Sequence, residues 1–136
     1  MSSVHMQIGE VATRTGLSLR SIRHYEMTGL VTPSARSQGG FRLYTEDDVA
    51  RLTVIRRMKP LDLTLDEMRD LLDATDRLDS GEELTPGARR ALLERVRGYE
   101  QGAAERVERL RTQLAQAEEF TRSLRVRLHR DRVTTA

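Results

Sequence analysis

The last third of the chain is its most constraining feature. From Thr85-Pro86, a capping hydroxyl followed by proline at a first helical position, no strong helix breaker occurs up to residue 129. Leu93, Val96, Ala103, Val107, Leu110, Leu114, Ala117, Leu124 and Leu128 recur at three- and four-residue spacing, interrupted by Glu100 and Thr121. That is the pattern of a heptad seam. About 43 residues rising about 1.5 Å each make a rod of roughly 65 Å. Such a rod cannot cover its own apolar stripe, and residues 1–80 of this 136-residue chain are taken up by shorter elements. A partner chain is therefore expected. Gly98 and Gly102 lie inside the run, each about 1 kcal/mol less favourable than alanine, and predict a bend or interruption there. Their spacing would also admit close approach of another helix; a local weak point is the preferred reading.

Ahead of the rod, Ile8, Val11 and Ala12 share one helical face that stops at Thr15-Gly16. Ser18 is a good cap for a second short helix over residues 19–28, which ends at Gly29. Two short helices joined by a tight turn make a helix-turn-helix candidate. The second helix carries Arg20, Arg23, His24 and Tyr25, side chains able to bond base edges and phosphates from within a major groove. Pro33 ends this segment, and Ser37-Gln38-Gly39-Gly40 is turn chemistry next to a run in which Arg42 and Tyr44 alternate with Phe41 and Leu43. A basic hairpin after a helix-turn-helix has the composition of a winged helix, with Arg36, Arg42 and Tyr44 as groups that grip the phosphate backbone.

Thr45-Glu46-Asp47-Asp48 reads as a capping box with Asp at its last position, and Val49, Leu52, Ile55 and Met58 then repeat on one face. The spacing predicts a third helix over 46–59. Thr64-Leu65-Asp66-Glu67 is a second capping box, opening a fourth helix with Met68, Leu71, Leu72, Thr75 and Leu78 inward, ending before Gly81. The fold class is mainly α: a DNA-binding domain over 6–80, a linker over 81–85, a helix over 86–129 and a frayed, polar tail over 130–136.

Charge divides the chain along similar lines. Residues 1–59 hold nine basic and five acidic side chains, residues 60–85 two and nine, and residues 86–136 twelve and seven. The net +2 thus conceals blocks of +4, −7 and +5. The acidic block reads as a solvated helix face beside a basic one. With no cysteine in the sequence, disulfides, thiolate nucleophiles and Cys-ligated metals are excluded. His5, His24 and His129 lie in three distant segments, so a histidine metal site is not expected, nor is a cofactor. No Ser/His/Asp constellation, phosphate loop or isolated carboxylate pair appears, which argues against an enzyme. The N-terminus lacks the basic and apolar regions of a signal peptide, and no apolar run is long enough for a membrane; a cytoplasmic location is expected.

Ile8-Gly9-Glu10-Val11-Ala12, Gly16-Leu17-Ser18, Arg20-Ser21-Ile22-Arg23-His24-Tyr25-Glu26, Gly29-Leu30-Val31 and Gly39-Gly40-Phe41-Arg42-Leu43-Tyr44 occur in order at fixed spacing. Together they resemble the N-terminal pattern of MerR-type transcription regulators, and the likeness continues through Arg56-Arg57-Met58 and Leu65-Asp66-Glu67-Met68. The long terminal helix is similar to that family's antiparallel dimerisation coil in position and kind. The resemblance implies a homodimer on a pseudo-palindromic promoter operator, with residues 19–28 in the major groove and residues 34–44 as a wing. It implies that Arg20 and Arg23 approach base edges or nearby phosphates. Tyr25, Arg36, Phe41, Arg42, Tyr44 and Lys59 would line the backbone, with Ser18 and His24 among the DNA-facing residues. Val107, Leu110, Leu114, Ala117 and Leu124 would hold the dimer. Such regulators distort an overlong promoter spacer so that RNA polymerase engages both promoter elements.

Two departures stand out. His24 occupies the place of an aromatic in the family's Tyr-Tyr-Glu and reads as tolerated. Asp62-Leu63, preceded by Pro60, stands where the family has Gly-Phe; the second wing is expected to lose its glycine turn and gain a negative charge near DNA. The eight residues after Leu128 leave no room within this sequence for the large domain of drug-sensing members. A small-molecule effector is not identified; its place, if one exists, is between the coil and the DNA-binding domain. Two other readings of the residues are an excisionase-like architectural protein and a coiled-coil adaptor that binds an acidic protein.

Overall fold

Side-chain caps open the second, third and fourth helices, whereas the first begins without one, and these ends help to fix the path of the chain. The structure, a computed structural model, describes residues 5–32, 35–36 and 39–134. Helix α1 (Ile8–Thr15) stops at Gly16, whose left-handed backbone (φ 73°) lets its N–H reach the Ala12 carbonyl at 2.9 Å. Arg56 from the third helix donates to the Thr15 carbonyl at 3.1 Å, and a Cβ on Gly16 would come within 2.9 Å of that guanidinium. Glycine is required there on both counts. Helix α2 (Leu19–Met27) opens with Ser18 Oγ accepting from the Ser21 N–H at 3.0 Å.

Among the described residues, three short strands follow the order β1-β3-β2, all antiparallel: β1 (Met6–Gln7), β2 (Ala35–Arg36) and β3 (Arg42–Tyr44). Ala35 pairs with Leu43 and Arg36 with Arg42, which makes β2 and β3 the strands of the expected hairpin. The expected turn residues Ser37 and Gln38, together with Pro33, lie outside the described residues. Strand β1 was not anticipated. Met6 pairs with Tyr44 and Gln7 with Leu43, and two residues are too few to show the alternation that reveals a strand.

Helix α3 (Glu46–Met58) carries the full capping box: Thr45 N–H donates to Asp48 Oδ2 at 2.9 Å and Asp48 N–H to Thr45 Oγ1 at 3.4 Å. Val49, Leu52, Ile55 and Met58 are its buried face. A 3-10 turn at Lys59–Leu61 continues the helix and ends at Asp62, which holds a left-handed backbone (φ 59°) with its N–H 3.3 Å from the Lys59 carbonyl. The expected loss of the glycine turn is thus corrected: the turn is kept, with aspartate, one of the few side chains that tolerate this conformation, in glycine's place. Helix α4 (Leu65–Asp79) opens on the Thr64/Glu67 capping box. It buries Met68, Leu72 and Ala74, with Leu71, Thr75 and Leu78 only partly covered.

Helix α5 (Pro86–Thr134) runs 49 residues, about 74 Å at about 1.5 Å per residue. It passes Gly98 and Gly102 without leaving helical geometry, so neither interrupts it, and continues to Thr134, which corrects the expected end of the helix at residue 129. The reason lies in anchors on both sides of the glycines. Leu92 is buried, Arg95 pairs with Asp70, the Tyr99 hydroxyl donates to Asp70 Oδ2 at 2.7 Å, and Arg106 Nε donates to the Pro60 carbonyl at 3.3 Å. At the far end no glycine or proline interrupts the polar run. Leu92, absent from the predicted seam, is the residue that α4 covers, while Leu93 is only partly buried. Beyond Leu110, which is partly covered, the seam leucines stand exposed: Leu114 is 60% and Leu128 65% exposed.

Candidate nucleic-acid interface

The core of the first four helices consists of residues such as Val11, Leu17, Ile22, Leu30, Leu52 and Ile55. Packing of Ile22 and Tyr25 into it turns the opposite face of α2 outward, which leaves Arg20, Arg23 and His24 exposed on one surface. With Leu19 and Met27 these three line a shallow groove of about 470 Å³. A second hollow, of about 190 Å³, is lined by Gln7, Ile8, Arg23, Gly40, Phe41 and Arg42. Arg23 borders both, so α2 and the wing form one continuous surface. Phe41 stands 66% exposed at the wing.

Not every expected DNA-facing residue is placed there. Tyr25 is only 6% exposed, its ring part of the core, and burial pushes its hydroxyl pKa up. Tyr44 is fully buried and donates its hydroxyl to Glu26 Oε2 at 2.8 Å. Burial, then that hydrogen bond, raise its pKa well above the ordinary tyrosine value. Both tyrosines are therefore corrected from phosphate-lining groups to supports of the surface. The physical reason is that apolar rings next to short elements offer more area to the core than to solvent. Ser18 acts as the α2 cap, Lys59 is exposed at the end of α3 and lines neither hollow, and Arg36 lies in β2. His24 meets the Tyr25 ring at 5.8 Å between centroids, tilted by 55°.

Several charged residues that the sequence reading passed over hold this surface in place. Glu26 binds Tyr44, and its Oε1 meets Arg42 Nε as an ion pair in which the N–H points off the line of a hydrogen bond. Arg51 donates through Nε to the Leu30 carbonyl at 2.6 Å and through Nη1 to Asp76 at 2.8 Å, which ties α3 to the end of α2 and to α4. Arg69 reaches the Thr28 carbonyl from α4. Arg14 grips Glu46 with two nitrogens, the Nη2–Oε2 contact being 2.6 Å, and the guanidinium hydrogen bond holds the Glu46 pKa below the usual carboxylate range. Only the place of Glu26 in the His24-Tyr25-Glu26 run hinted at any of this: a carboxylate on an otherwise basic face needs a cation.

The acidic block likewise has internal work. Asp70 is hydrogen-bonded by the Tyr99 hydroxyl and by Arg95, and in that order they lower its pKa; Arg95 also lies 3.6 Å from Asp73. The same bond to Asp70 pushes Tyr99 up to about 12. The expected solvated face is in part the seat of α5. Beside this contact, Leu63, Glu67, Glu94, Gly98 and Gly102 help line a cleft of about 370 Å³ between α4 and α5.

Residues 6–75 match the MerR HTH family regulatory protein family, and residues 49–126 match the family described as MerR, DNA binding. The chain belongs to the MerR family. This MerR-family chain is 35% identical over 109 residues to the HTH-type transcriptional regulator CueR of Escherichia coli O6:H1, covering 80% of this chain and 78% of that protein. Other matches are shorter, spanning 48% and 33% of the first two curated relatives. Among solved structures, the transcription regulator PbrR691 from Ralstonia metallidurans, in complex with lead(II), superposes with a TM-score of 0.52 at 34% identity, covering 88% of this chain and 82% of that one. HiNmlR, a MerR family regulator lacking the sensor domain and bound to promoter DNA, shares the fold at a TM-score of 0.66 and 17% identity, covering 85% and 80%. The MerR family is one of transcription regulators rather than enzymes. Among the described residues no helix is long and apolar enough to cross a membrane.

Proposed function

We propose that this MerR-family chain is a sequence-specific, DNA-binding transcription regulator that acts as a homodimer on a pseudo-palindromic promoter operator and distorts the DNA so that RNA polymerase can engage it. The observation that carries the reading is the continuous surface of Arg20, Arg23 and His24 on α2 with Phe41 and Arg42 on the wing. Guanidinium groups on an exposed helix suit the acceptor edges of guanine, and a wing beside that helix suits the adjacent phosphates. Residues 6–80 are the DNA-binding unit in this reading, 81–85 a linker, and α5 the dimerisation element. The uncovered Val107, Leu114 and Leu124, with Ala117 and the partly covered Leu110, favour pairing with a second α5, antiparallel in this reading as the family resemblance implies. The site of action is the cytoplasm, where promoter DNA is found, and the reading needs no cofactor or metal.

The test is selection of bound duplexes from a random or genomic pool by the full chain, followed by footprinting and a circular-permutation bend assay. A bent, two-fold symmetric site between promoter elements is the expected result. Bent sites at recombination junctions would instead favour an excisionase-like role. Enrichment of no sequence at modest salt would overturn DNA regulation and leave the coil as a protein-binding surface.

A further inference from the structure

The recognition helix ends on an acidic residue that faces the wing. Glu26 lies in the last turn of α2, where the helix dipole disfavours a carboxylate, and its side chain is only 9% exposed. A buried carboxylate in that position persists only if both oxygens are engaged. They are: Oε2 accepts from the Tyr44 hydroxyl at 2.8 Å, and Oε1 meets Arg42 Nε. Arg42 and Tyr44 are two residues apart on β3 and so share one face of that strand. One carboxylate therefore grips one face of the wing's inner strand, while the strand's ladder runs to β1 and β2.

We propose that Glu26 is a positioning residue for DNA binding, which ties the wing to the recognition helix by holding Arg42 through its Nε edge and Tyr44 through its hydroxyl. The proposal rests on the DNA-binding reading above. Two consequences follow from the chemistry. The positive charge that Arg42 brings to the phosphates is partly offset, so non-specific attraction is lower than the count of arginines suggests. In return Arg42 and Arg23, which border the same hollow, keep a fixed separation, so that wing and helix engage DNA in one register. Glu26 thus favours discrimination over raw affinity.

The experiment is a salt titration of full-length protein against its selected operator and a random duplex of equal length, followed by fluorescence anisotropy. Glu26→Gln keeps the size and an acceptor for Tyr44 but removes the charge. The expected result is a several-fold gain on random DNA, a log–log salt slope steeper by up to about 0.9, one phosphate's worth, and a fall of about tenfold in the operator-to-random ratio. In an Arg42→Ala background the same change should leave the slope as it is, because no guanidinium remains to be released. Tyr44→Phe should lower the ratio two- to threefold, and this variant decides the matter should Glu26→Gln fail to fold by circular dichroism. An unchanged slope and ratio in folded Glu26→Gln, the same slope change without Arg42, or an unchanged ratio in Tyr44→Phe each overturn the proposal. Wild-type protein that binds neither duplex would overturn the DNA-binding reading instead.

Discussion

Helix α3 and the outer part of α5 carry the same kind of apolar stripe and meet opposite fates. Val49, Leu52, Ile55 and Met58 are buried beneath α1, α4 and the small sheet, whereas Val107, Leu114, Leu124 and Leu128 stand in solvent. The difference does not lie in the stripes. It lies in how many other elements the chain can fold back around each: α3 is surrounded, and α5 beyond Arg106 has outrun everything that packs against it. Periodicity announces that a face will be covered and is silent on by what.

The contrast can be broken most severely on the buried side. Leu52→Ala, at a site with no exposure, should cost about 2–5 kcal/mol through lost burial and a residual cavity, read as a lower denaturation midpoint at any protein concentration. Leu114→Asp on the outer stripe should instead leave far-UV dichroism nearly unchanged while halving the mass in sedimentation equilibrium; an unhalved mass would place Leu114 outside the seam, and a monomeric wild type would show that α5 needs no second chain. Next in size, Arg20→Ala or Arg23→Ala should each cost about 1–3 kcal/mol on the operator and relax its sequence preference, without moving the denaturation midpoint. If operator binding withstands both changes, α2 is not the reading helix. Smaller still, Asp62→Gly should relieve a left-handed non-glycine residue and raise stability by up to about 1 kcal/mol. Thermal melts check the direction.

The mildest probe is pH, applied at the junction of the two regions. The Asp70 pKa is lowered in the folded chain, so its contribution to the α4–α5 contact is present above the ordinary carboxylate pKa and lost as pH falls through the folded value. That of Tyr99 is raised, so its contribution is complete below about pH 10 and is lost as pH rises through about 12. Hydrogen exchange of the first turns of α5 should quicken at both extremes, and Tyr99→Phe should abolish the alkaline limb.

Features set by neighbours in sequence were legible. The two capping boxes, the Ser18 cap, the inward face of α3 and the break at Gly16 all follow from spacings of three or four residues, and all are present. What escaped depends on distant partners. The third strand needs Tyr44 to meet Met6, and the burial of Tyr25 and Tyr44 needs the core around them. Glu26 gains its role only when β3 comes alongside α2. Leu92 rather than Leu93 is the covered leucine, on the proximal part of α5 that packs against α4. The exposed arginines of α2 were readable because their outward direction follows from the apolar side of the same helix.

The anchors of α5 near Asp70 and Pro60 also have a mechanical consequence. They clamp a stiff beam at one end, with some 28 residues, or about 42 Å, projecting past Arg106. Over that length a tilt of about 5° displaces the tip by about 4 Å. Read in reverse, a rotation imposed at the tip reaches α4 through the Asp70 contacts, and Arg69 and Arg51 link α4 and α3 to the end of α2. In the dimer proposed above, a hold on that tip would act as a lever on α2.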